Sequence, residues 1–256
     1  MITAMKLQKK NVSYWILYLA MPVIVLIVWQ ALAAAGLIKP YTMPAPTEIV
    51  KAAIQYGTSG KLAAYIGISI LRVLEGFVAG LVLAFLLGIA SGLSRLIEII
   101  TDFCLQILRP IPPIAWIPLA ILWFDLGESS KIFIIFIGAF FPIFITIVDG
   151  IKAIDSKYYE LARAYEVPKK QFILHVIVPG ALPAIMTGIR VGMGNAWVCV
   201  VAAEMIGATQ GVGFMLMDGR SMSRPDVVIL GMLLVGIIDK WMDDVLLYIR
   251  RRVVIR

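Results

Sequence analysis

The chain has 256 residues, of which 61% are hydrophobic and only 15% charged, with a formal net charge of +7. Soluble domains have about 45–50% apolar and about 25% charged residues, so the composition excludes a disordered chain, a secreted disulfide scaffold and an ordinary cytosolic enzyme. A membrane span needs about 20 residues, and six spans would use roughly half of this length.

Six apolar segments predict an all-α polytopic membrane protein. Small residues recur in the second segment, where they would let helices approach closely in lipid, and Arg72 and Glu75 would pair on one face. Between the first two segments, three prolines in seven residues precede a short helix that Thr47 is predicted to cap. The predicted spans are 14–35, 64–93, 96–124, 132–148, 182–206 and one that begins near Asp226.

Basic residues orient the chain in the membrane. With the N-terminus inside, the cytoplasmic segments hold thirteen lysines and arginines and the opposite side holds six. Such an excess predicts that both termini are cytoplasmic. The net charge therefore indicates retained basic loops in a membrane protein and no nucleic-acid partner. The two cysteines, Cys104 and Cys199, are predicted to be reduced core residues, and the single histidine, His175, cannot build a metal site alone.

The third predicted span is interrupted by four prolines within residues 110–118. An unbroken helix cannot form there, and broken backbone at membrane depth is tolerated where it is buried in protein or lines a cavity. We therefore predict a break that lines a pathway, with the alternative of a kink that has no transport role. The candidate path residues in this segment are Arg109, Pro112, Pro113 and Trp116.

Two arginines within predicted spans, Arg109 and Arg190, are costly in a bilayer and usually face a bundle interior or water. Two cations near a path would suit a small anion. The alternatives are that Arg109 snorkels to the membrane edge, or that Arg190 pairs with a carboxylate such as Glu160 or Glu166. Further path candidates, which could equally be packing residues, are Asn195, Trp197 and Glu204.

The segment after the fourth span predicts two short helices. Asp155 and Ser156 can cap the first, which runs from Tyr158 to Glu166, and Pro168 ends it. The second begins at Lys169 and reaches about Val178, with Pro179 and Pro183 bracketing the start of the fifth span. A short helix tied in this way to its neighbours could transmit a push from a soluble partner. The alternative is an ordinary solvated loop.

Residues Glu160–Glu166 and Ile177–Pro183 resemble the EAA loop of binding-protein-dependent ABC importer permeases. Glu160 and Ala162 match the Glu-Ala-Ala triplet, while Leu161 replaces its first alanine and Glu166 replaces the glycine that follows. Residues 109–131, 201–206 and 211–214 are similar to the nitrate, sulfonate, taurine and bicarbonate branch, most of all to taurine and alkanesulfonate permeases. The resemblance covers about residues 44–252.

This resemblance implies a type I ABC importer permease, with one transmembrane domain over residues 1–256, a core at about 62–250 and a cytoplasmic coupling loop at about 150–180. It implies a homodimer, two cytoplasmic ATPases, an external solute-binding protein and location in the inner (plasma) membrane of a prokaryote. The chain would bind no cofactor, since ATP and Mg²⁺ belong to the partner ATPase, and would carry a small anion such as taurine, another sulfonate, nitrate or bicarbonate. The implied ATPase-docking residues are Tyr158, Tyr159, Glu160, Leu161, Ala162, Arg163, Ala164, Tyr165, Glu166 and Val167.

Two rival functions follow from composition alone. A secondary transporter or channel would work without ATP, and the docking loop argues against it. An integral membrane enzyme would cluster acids or histidines near one interface. The only such cluster is Asp239, Asp243 and Asp244, and Lys240 offers Asp244 a helix-surface pairing instead.

Overall fold

The computed structural model describes residues 12–254, with side chains for residues 20–253. All regular structure in residues 12–254 is helical, and these residues form no strand, which confirms the all-α prediction. Tyr14 and Trp15, predicted at the edge of the first span, have side chains outside the described set. The helices are α1 (Val12–Ala34), α2 (Pro46–Thr58), α3 (Lys61–Leu93), α4 (Arg95–Leu108), α5 (Ile117–Phe124), α6 (Glu128–Lys152), α7 (Ser156–Ala164), α8 (Lys169–Phe172), α9 (Val178–Gly207), α10 (Val212–Ser221) and α11 (Pro225–Val254).

Helices α3, α6 and α9 form the core of the molecule, and α6 packs between the other two. Val73 on α3, Ile135 and Ile147 on α6, and Trp197 and Val200 on α9 are almost completely buried within this group. The long apolar runs of these helices bury one face each against a neighbour and leave the rest for lipid or for other chains.

Close packing of α3 on α6 depends on glycines at helical spacing. A Cβ atom on Gly76 would lie 2.6 Å from Cβ of Ile135, and one on Gly88 would lie 2.8 Å from Cγ2 of Ile147. Gly80 and Gly92 meet α6 in the same way. The small residues of the second predicted span therefore do allow the close approach of helices that packing in lipid requires.

The proline-rich segment breaks the third predicted span, as expected. Helix α4 ends at Leu108, a short 3₁₀ turn covers Pro113–Trp116, and α5 follows at an angle of 86° to α4. Cys104, predicted in the core, is exposed on α4, whereas Cys199 is buried. Cys104 is exposed because α4 packs beside one neighbour, α3, and turns its other faces outward.

Three described helices are long and apolar enough to cross a membrane, namely Lys61–Leu93, Glu128–Lys152 and the continuous helix Lys169–Gly207. The bent pair of α4 and α5 would make a fourth span. The described apolar part of α1, Ala20–Ala34, is shorter, and α11 carries Asp239, Lys240, Asp243 and Asp244 along its length. The count of six spans and the orientation of the termini stay predictions.

Helix α2 packs beside α11 and α3 and forms a second, smaller apolar cluster around Ile49 and Tyr56. It begins at Pro46, with Ala45 as its N-cap, so the predicted cap at Thr47 is wrong. Proline takes the first helical position because its missing N–H would have no partner there. The Thr47 backbone N–H instead donates to the side chain of Gln30 on α1, at 3.2 Å.

The two ends of the bundle are distinguished by their contacts. At one end, here called the loop end, Lys152 at the close of α6 forms a 2.9 Å ion pair with Glu98 near the start of α4. Helix α7 follows α6 directly at this end. At the opposite end, Glu128 at the start of α6 pairs with Arg72 in the first half of α3. Helix α2 precedes α3 at that opposite end.

Candidate functional site

The first candidate site is the loop helix α7 at the loop end. Asp155 caps the helix, because its carboxylate accepts a 2.9 Å hydrogen bond from the Lys157 backbone N–H. The helix covers Ser156–Ala164, so it begins and ends two residues before the predicted run of Tyr158 to Glu166. The capped first turn explains the earlier start.

One face of α7 is anchored and the other is open. The Tyr159 ring lies 5.2 Å from the Phe172 ring on α8, edge to face, and its burial raises the pKa of the Tyr159 hydroxyl. Tyr158, Leu161 and Tyr165 are each more than half exposed. Exposed aromatic and aliphatic side chains on a short anchored helix are typical of a protein-binding surface.

Helix α7 ends in a left-handed turn at Glu166, whose φ is +51°. The Val167 N–H donates to the Ala162 carbonyl at 2.9 Å, and the Glu166 N–H donates to the Arg163 carbonyl at 3.2 Å. These two bonds form a Schellman motif, in which the left-handed position is usually glycine. Glu166 therefore occupies a backbone conformation that costs a side-chain-bearing residue free energy.

Helices α8 and α9 are continuous, so the prediction of a separate second loop helix is wrong. The helix runs from Lys169 to Gly207, with a π-helical stretch at Ile173–Ile177. Pro179 lies just after this π-helical stretch and Pro183 lies four residues further on, so both prolines are inside the continuous helix, where each removes one backbone hydrogen bond. Phe172, which packs on α7, thus belongs to the same helix as Asn195.

The second candidate site is a cavity of about 360 Å³ between α4, the proline break, α6 and α9. Its polar groups are the Arg109 guanidinium, the Asn195 amide and the Thr146 hydroxyl, and its walls are otherwise apolar, with Phe141 and Val191 among them. No described residue that lines it carries a carboxylate. A concave apolar site of this size with a few convergent polar groups suits a small ligand, and the guanidinium suits an oxyanion.

Some of the predicted path residues line this cavity and others do not. Arg109, Pro113 and Asn195 line this cavity together. Pro112 is exposed directly before the 3₁₀ turn. Trp116 is half-buried against the core, and its indole N–H has no hydrogen-bond partner within the described residues.

The remaining path candidates lie in helix packing and do not line the cavity. Trp197 is buried, and its indole N–H donates to the Val235 carbonyl on α11 at 2.9 Å. Arg190 forms a two-point ion pair with Asp243 on α11, through Nε and Nη2 at 2.8 Å each. The alternative that Arg190 pairs with a carboxylate is therefore confirmed, but the partner is Asp243 and not Glu160 or Glu166, which lie in and just after α7.

Glu204, the last path candidate, is the centre of a buried polar network at the opposite end. Its carboxylate accepts hydrogen bonds from Ser69 at 2.8 Å, from Arg72 at 2.8 Å and from the Gly213 N–H at 2.9 Å. Gly211, at φ +128°, passes so close that a Cβ atom there would lie 2.4 Å from the Glu204 carboxyl carbon. The loop before α10 is therefore folded around this carboxylate.

Arg72 extends the network to α6. Its Nε and Nη2 donate to the Glu128 carboxylate at 2.5 and 2.7 Å, and Lys131 also donates to Glu128, at 3.2 Å. The predicted pair of Arg72 and Glu75 is wrong, because Arg72 turns into the bundle whereas Glu75 is exposed. Glu128 and Lys131 lie within the segment 109–131 that resembles the family branch, but nothing in the sequence indicated that they pair with each other and with Arg72, and Ser69 had no signal of its own.

The described residues hold no group of three or more His, Cys, Asp or Glu side chains that could bind a metal ion.

Comparison with known families gives a match over residues 76–253 to the family described as binding-protein-dependent transport system inner membrane component. The chain belongs to this family. The recognized segment includes the proline break, the loop helix and the cavity, so both candidate sites lie within a transport-permease domain.

Relatives of this permease include proteins named for aliphatic sulfonates, taurine and nitrate. The putative aliphatic sulfonates transport permease protein SsuC of Bacillus subtilis (strain 168) is 38% identical and covers 93% of this chain and 86% of its own. The taurine transport system permease protein TauC of Escherichia coli (strain K12) is 33% identical over 90% and 85%. The nitrate import permease protein NrtB of Synechocystis sp. (strain ATCC 27184 / PCC 6803 / Kazusa) is 32% identical over 90% and 86%. The permease thus belongs to the nitrate, sulfonate and taurine branch.

The fold of this permease is also found among solved structures. An inward-facing conformation of the MetNI methionine ABC transporter has a chain that matches with a TM-score of 0.57 and 19% identity, covering 78% of this chain and 98% of that one. At this identity the likeness shows a shared fold only. The type I importer fold implied by the sequence is therefore supported at the level of helix arrangement.

Proposed function

We propose that the chain is the membrane permease subunit of an ATP-driven importer for a small anionic solute. Two copies would pair around a central path, as one domain each, in the inner membrane of a prokaryote. Two cytoplasmic ATPases would dock on the loop helices and hold the ATP and Mg²⁺. An external binding protein would deliver the solute, and six spans would place both termini on the ATPase side.

One structural observation carries this proposal. A single helix, Lys169–Gly207, bears both Phe172, which packs on the loop helix, and Asn195, which lines the cavity. These two residues are about 35 Å apart along the helix at 1.5 Å per residue. A displacement of α7 by a partner can thus reach the cavity through one rigid element, because α9 packs along α6 over much of its length.

The nature of the solute follows from the cavity and from the relatives. Arg109 brings a positive charge to a cavity whose described lining holds no carboxylate. The relatives named above are called sulfonate, taurine and nitrate permeases. The Arg109 guanidinium and the Asn195 amide NH₂ can donate to the oxygens of a sulfonate or nitrate, whereas the Thr146 hydroxyl donates to the Pro142 and Ile143 carbonyls of its own helix. We infer an oxyanion of this class as the solute, without choosing between its members.

The test of docking is Glu160→Lys on the exposed face of α7, in cells that express the chain with its ATPase and binding protein. Charge reversal at this surface should abolish uptake of radiolabelled taurine, alkanesulfonate and nitrate while the amount of membrane-inserted chain is unchanged. Glu48→Lys is the matched control, since Glu48 is an exposed helical glutamate on α2, at the opposite end of the bundle. Equal uptake by Glu160→Lys and the parent would show that α7 does not couple an ATPase to transport.

A further inference from the structure

Helix α4 carries a polar stripe along one side. Its hydrophilic residues recur every three or four positions, which places them on one face of a helix. The face opposite is apolar and also exposed, with Leu96, Phe103 and Ile107 each more than half accessible. The polar stripe consists of Glu98, Asp102, Gln106 and Arg109.

Two contacts fix the depth of the polar stripe relative to α6. At the loop end, Glu98 pairs with Lys152. Eleven residues later in α4, Arg109 lines the cavity together with Phe141, which lies eleven residues earlier in α6. Each helix therefore covers about 16 Å between the ion pair and the cavity, at 1.5 Å per residue, which takes α4 from the loop end to the level of Phe141 in the middle of α6.

Asp102 and Gln106 lie between these two anchors. Both are exposed, and the Gln106 amide donates to the Asp102 carboxylate at 2.9 Å. An ionisable side chain at membrane depth faces a bundle interior or a water-filled space. The polar stripe therefore faces water and not lipid, while the apolar face of α4 meets lipid or another chain.

We propose that the polar stripe of α4 lines the water-filled route by which the solute leaves the cavity towards the loop end, and that Asp102 slows the passage of anions along this route. The inference rests on the proposed permease function. Arg109 attracts an oxyanion at the upper end of the route. The Asp102 carboxylate, two helical turns nearer the loop end, repels the oxyanion by Coulomb interaction in a medium less polar than bulk water. Because this repulsion acts on exit and entry alike, Asp102 lowers the rate at which anions pass in either direction and so limits their leak through the open route.

Thiol labelling tests the route. Gln106→Cys and Asp102→Cys, each in a Cys104→Ser background, are treated in inside-out membrane vesicles with the impermeant anion 2-sulfonatoethyl methanethiosulfonate. The remaining Cys199 is buried and serves as an unreactive background. Lys157→Cys, on the exposed surface of α7, verifies that the loop end faces the reagent.

The matched controls are Phe103→Cys and Ile107→Cys on the apolar face of the same helix. We expect both stripe positions to react at least about tenfold faster than both controls, because the reagent needs water around a thiolate. Equal or faster reaction on the apolar face would overturn the route. So would absence of reaction at both stripe positions while Lys157→Cys reacts, since the stripe would then be covered by a second copy or by lipid.

The repulsion by Asp102 is tested by comparing an anionic with a cationic labelling reagent. In the Gln106→Cys variant, adding Asp102→Asn should raise the labelling rate of the anionic reagent relative to its trimethylammonium analogue by about fivefold. An unchanged ratio would overturn the repulsion by Asp102. These measurements need neither ATP nor transported solute. If the stripe positions are labelled but Glu160→Lys leaves uptake intact, only the docking proposal is contradicted. If the stripe positions are not labelled but the parent chain shows normal uptake, only the route is contradicted.

Discussion

Arg72 and Glu204 form a 2.8 Å ion pair across α3 and α9, although 132 residues separate them in the chain. Both side chains are nearly inaccessible, at 5% and 0% exposure. A buried charge is tolerated only when it is paired and hydrogen-bonded. Here the remaining partners include Ser69 and Gly213 for Glu204, and Glu128 and the Gln210 carbonyl for Arg72. The pair therefore holds α3, α6, α9 and the loop before α10 in one arrangement.

Removing one member of this pair should destabilise the protein strongly. Arg72→Met leaves the Glu204 carboxylate buried and without its cation, with an expected loss of about 3–5 kcal/mol. Glu204→Leu should cost less, because Arg72 keeps its two-point pair with Glu128. Thermal unfolding in detergent and the yield of inserted chain measure the effect. Lys51→Met, at the exposed pair of Lys51 with Glu48, is the control and should change stability by less than about 1 kcal/mol.

The double variant Arg72→Met with Glu204→Leu sharpens this prediction. Because no uncompensated carboxylate then remains buried, it should be more stable than Arg72→Met alone. Additive losses in the double variant would mean that the two side chains act independently, contrary to the network described for α3 and α9.

Glu166→Gly should stabilise the end of α7. The φ of +51° costs a residue with a side chain about 1 kcal/mol relative to glycine. Hydrogen exchange of the backbone amides at positions 166 and 167, measured as the temperature is raised, should show that α7 unfolds at a higher temperature in the variant. Glu160→Gly, inside the helix, is the control and should lower helix stability by about 1 kcal/mol. A destabilising Glu166→Gly would show that the carboxylate makes a contact that outweighs the backbone strain.

Arg190 is expected to act in packing through Asp243. Either Arg190→Gln or Asp243→Asn should lower stability by about 1–2 kcal/mol, because the pair is partly exposed. Exchange of the two residues, Arg190→Asp with Asp243→Arg, should recover part of the loss. Uptake per inserted chain should be unchanged in all three variants, and a selective loss of uptake in Arg190→Gln would return Arg190 to the path.

Arg109 is expected to act in solute binding and to contribute little to stability. Arg109→Gln should reduce uptake of the anion at least about tenfold, because it removes the positive charge of the cavity, without changing the amount of inserted chain. Arg109→Lys keeps the charge but loses the planar fork, so it should retain part of the uptake. Normal uptake by Arg109→Gln would assign Arg109 a structural role.

The sequence predicted the local features well and the long-range ones poorly. The break at residues 110–118, the glycine contacts of α3 and the loop helix near 158–166 follow from proline, glycine and capping chemistry within a few residues. The pairing of Arg72 depended on which way α3 turns its faces, and spacing favoured Glu75 where packing brought Glu204 and Glu128. The continuity of α8 with α9 does not follow from the sequence, because Pro179 and Pro183 predict breaks that the helix accommodates through the π-helical stretch at Ile173–Ile177.

At Glu166, the family pattern and the structure point to the same backbone feature. Glu166 stands where the family pattern has a glycine, which indicates a turn or close packing. The structure shows that this residue has the left-handed conformation that glycine would favour. The cavity could be anticipated only in part, from Arg109, Pro113 and Asn195. Thr146 and Val191 join it because α6 and α9 face each other there.

ATP-dependent uptake by the reconstituted assembly tests the central claim most directly. The chain is placed in proteoliposomes with its ATPase, ATP is supplied at the loop end, and the binding protein with radiolabelled taurine, alkanesulfonate or nitrate is supplied at the other. We predict accumulation of at least one of these anions with ATP and none with a non-hydrolysable analogue. Equal entry of the anion with and without ATP hydrolysis would contradict the account and identify a transporter that works without an ATPase.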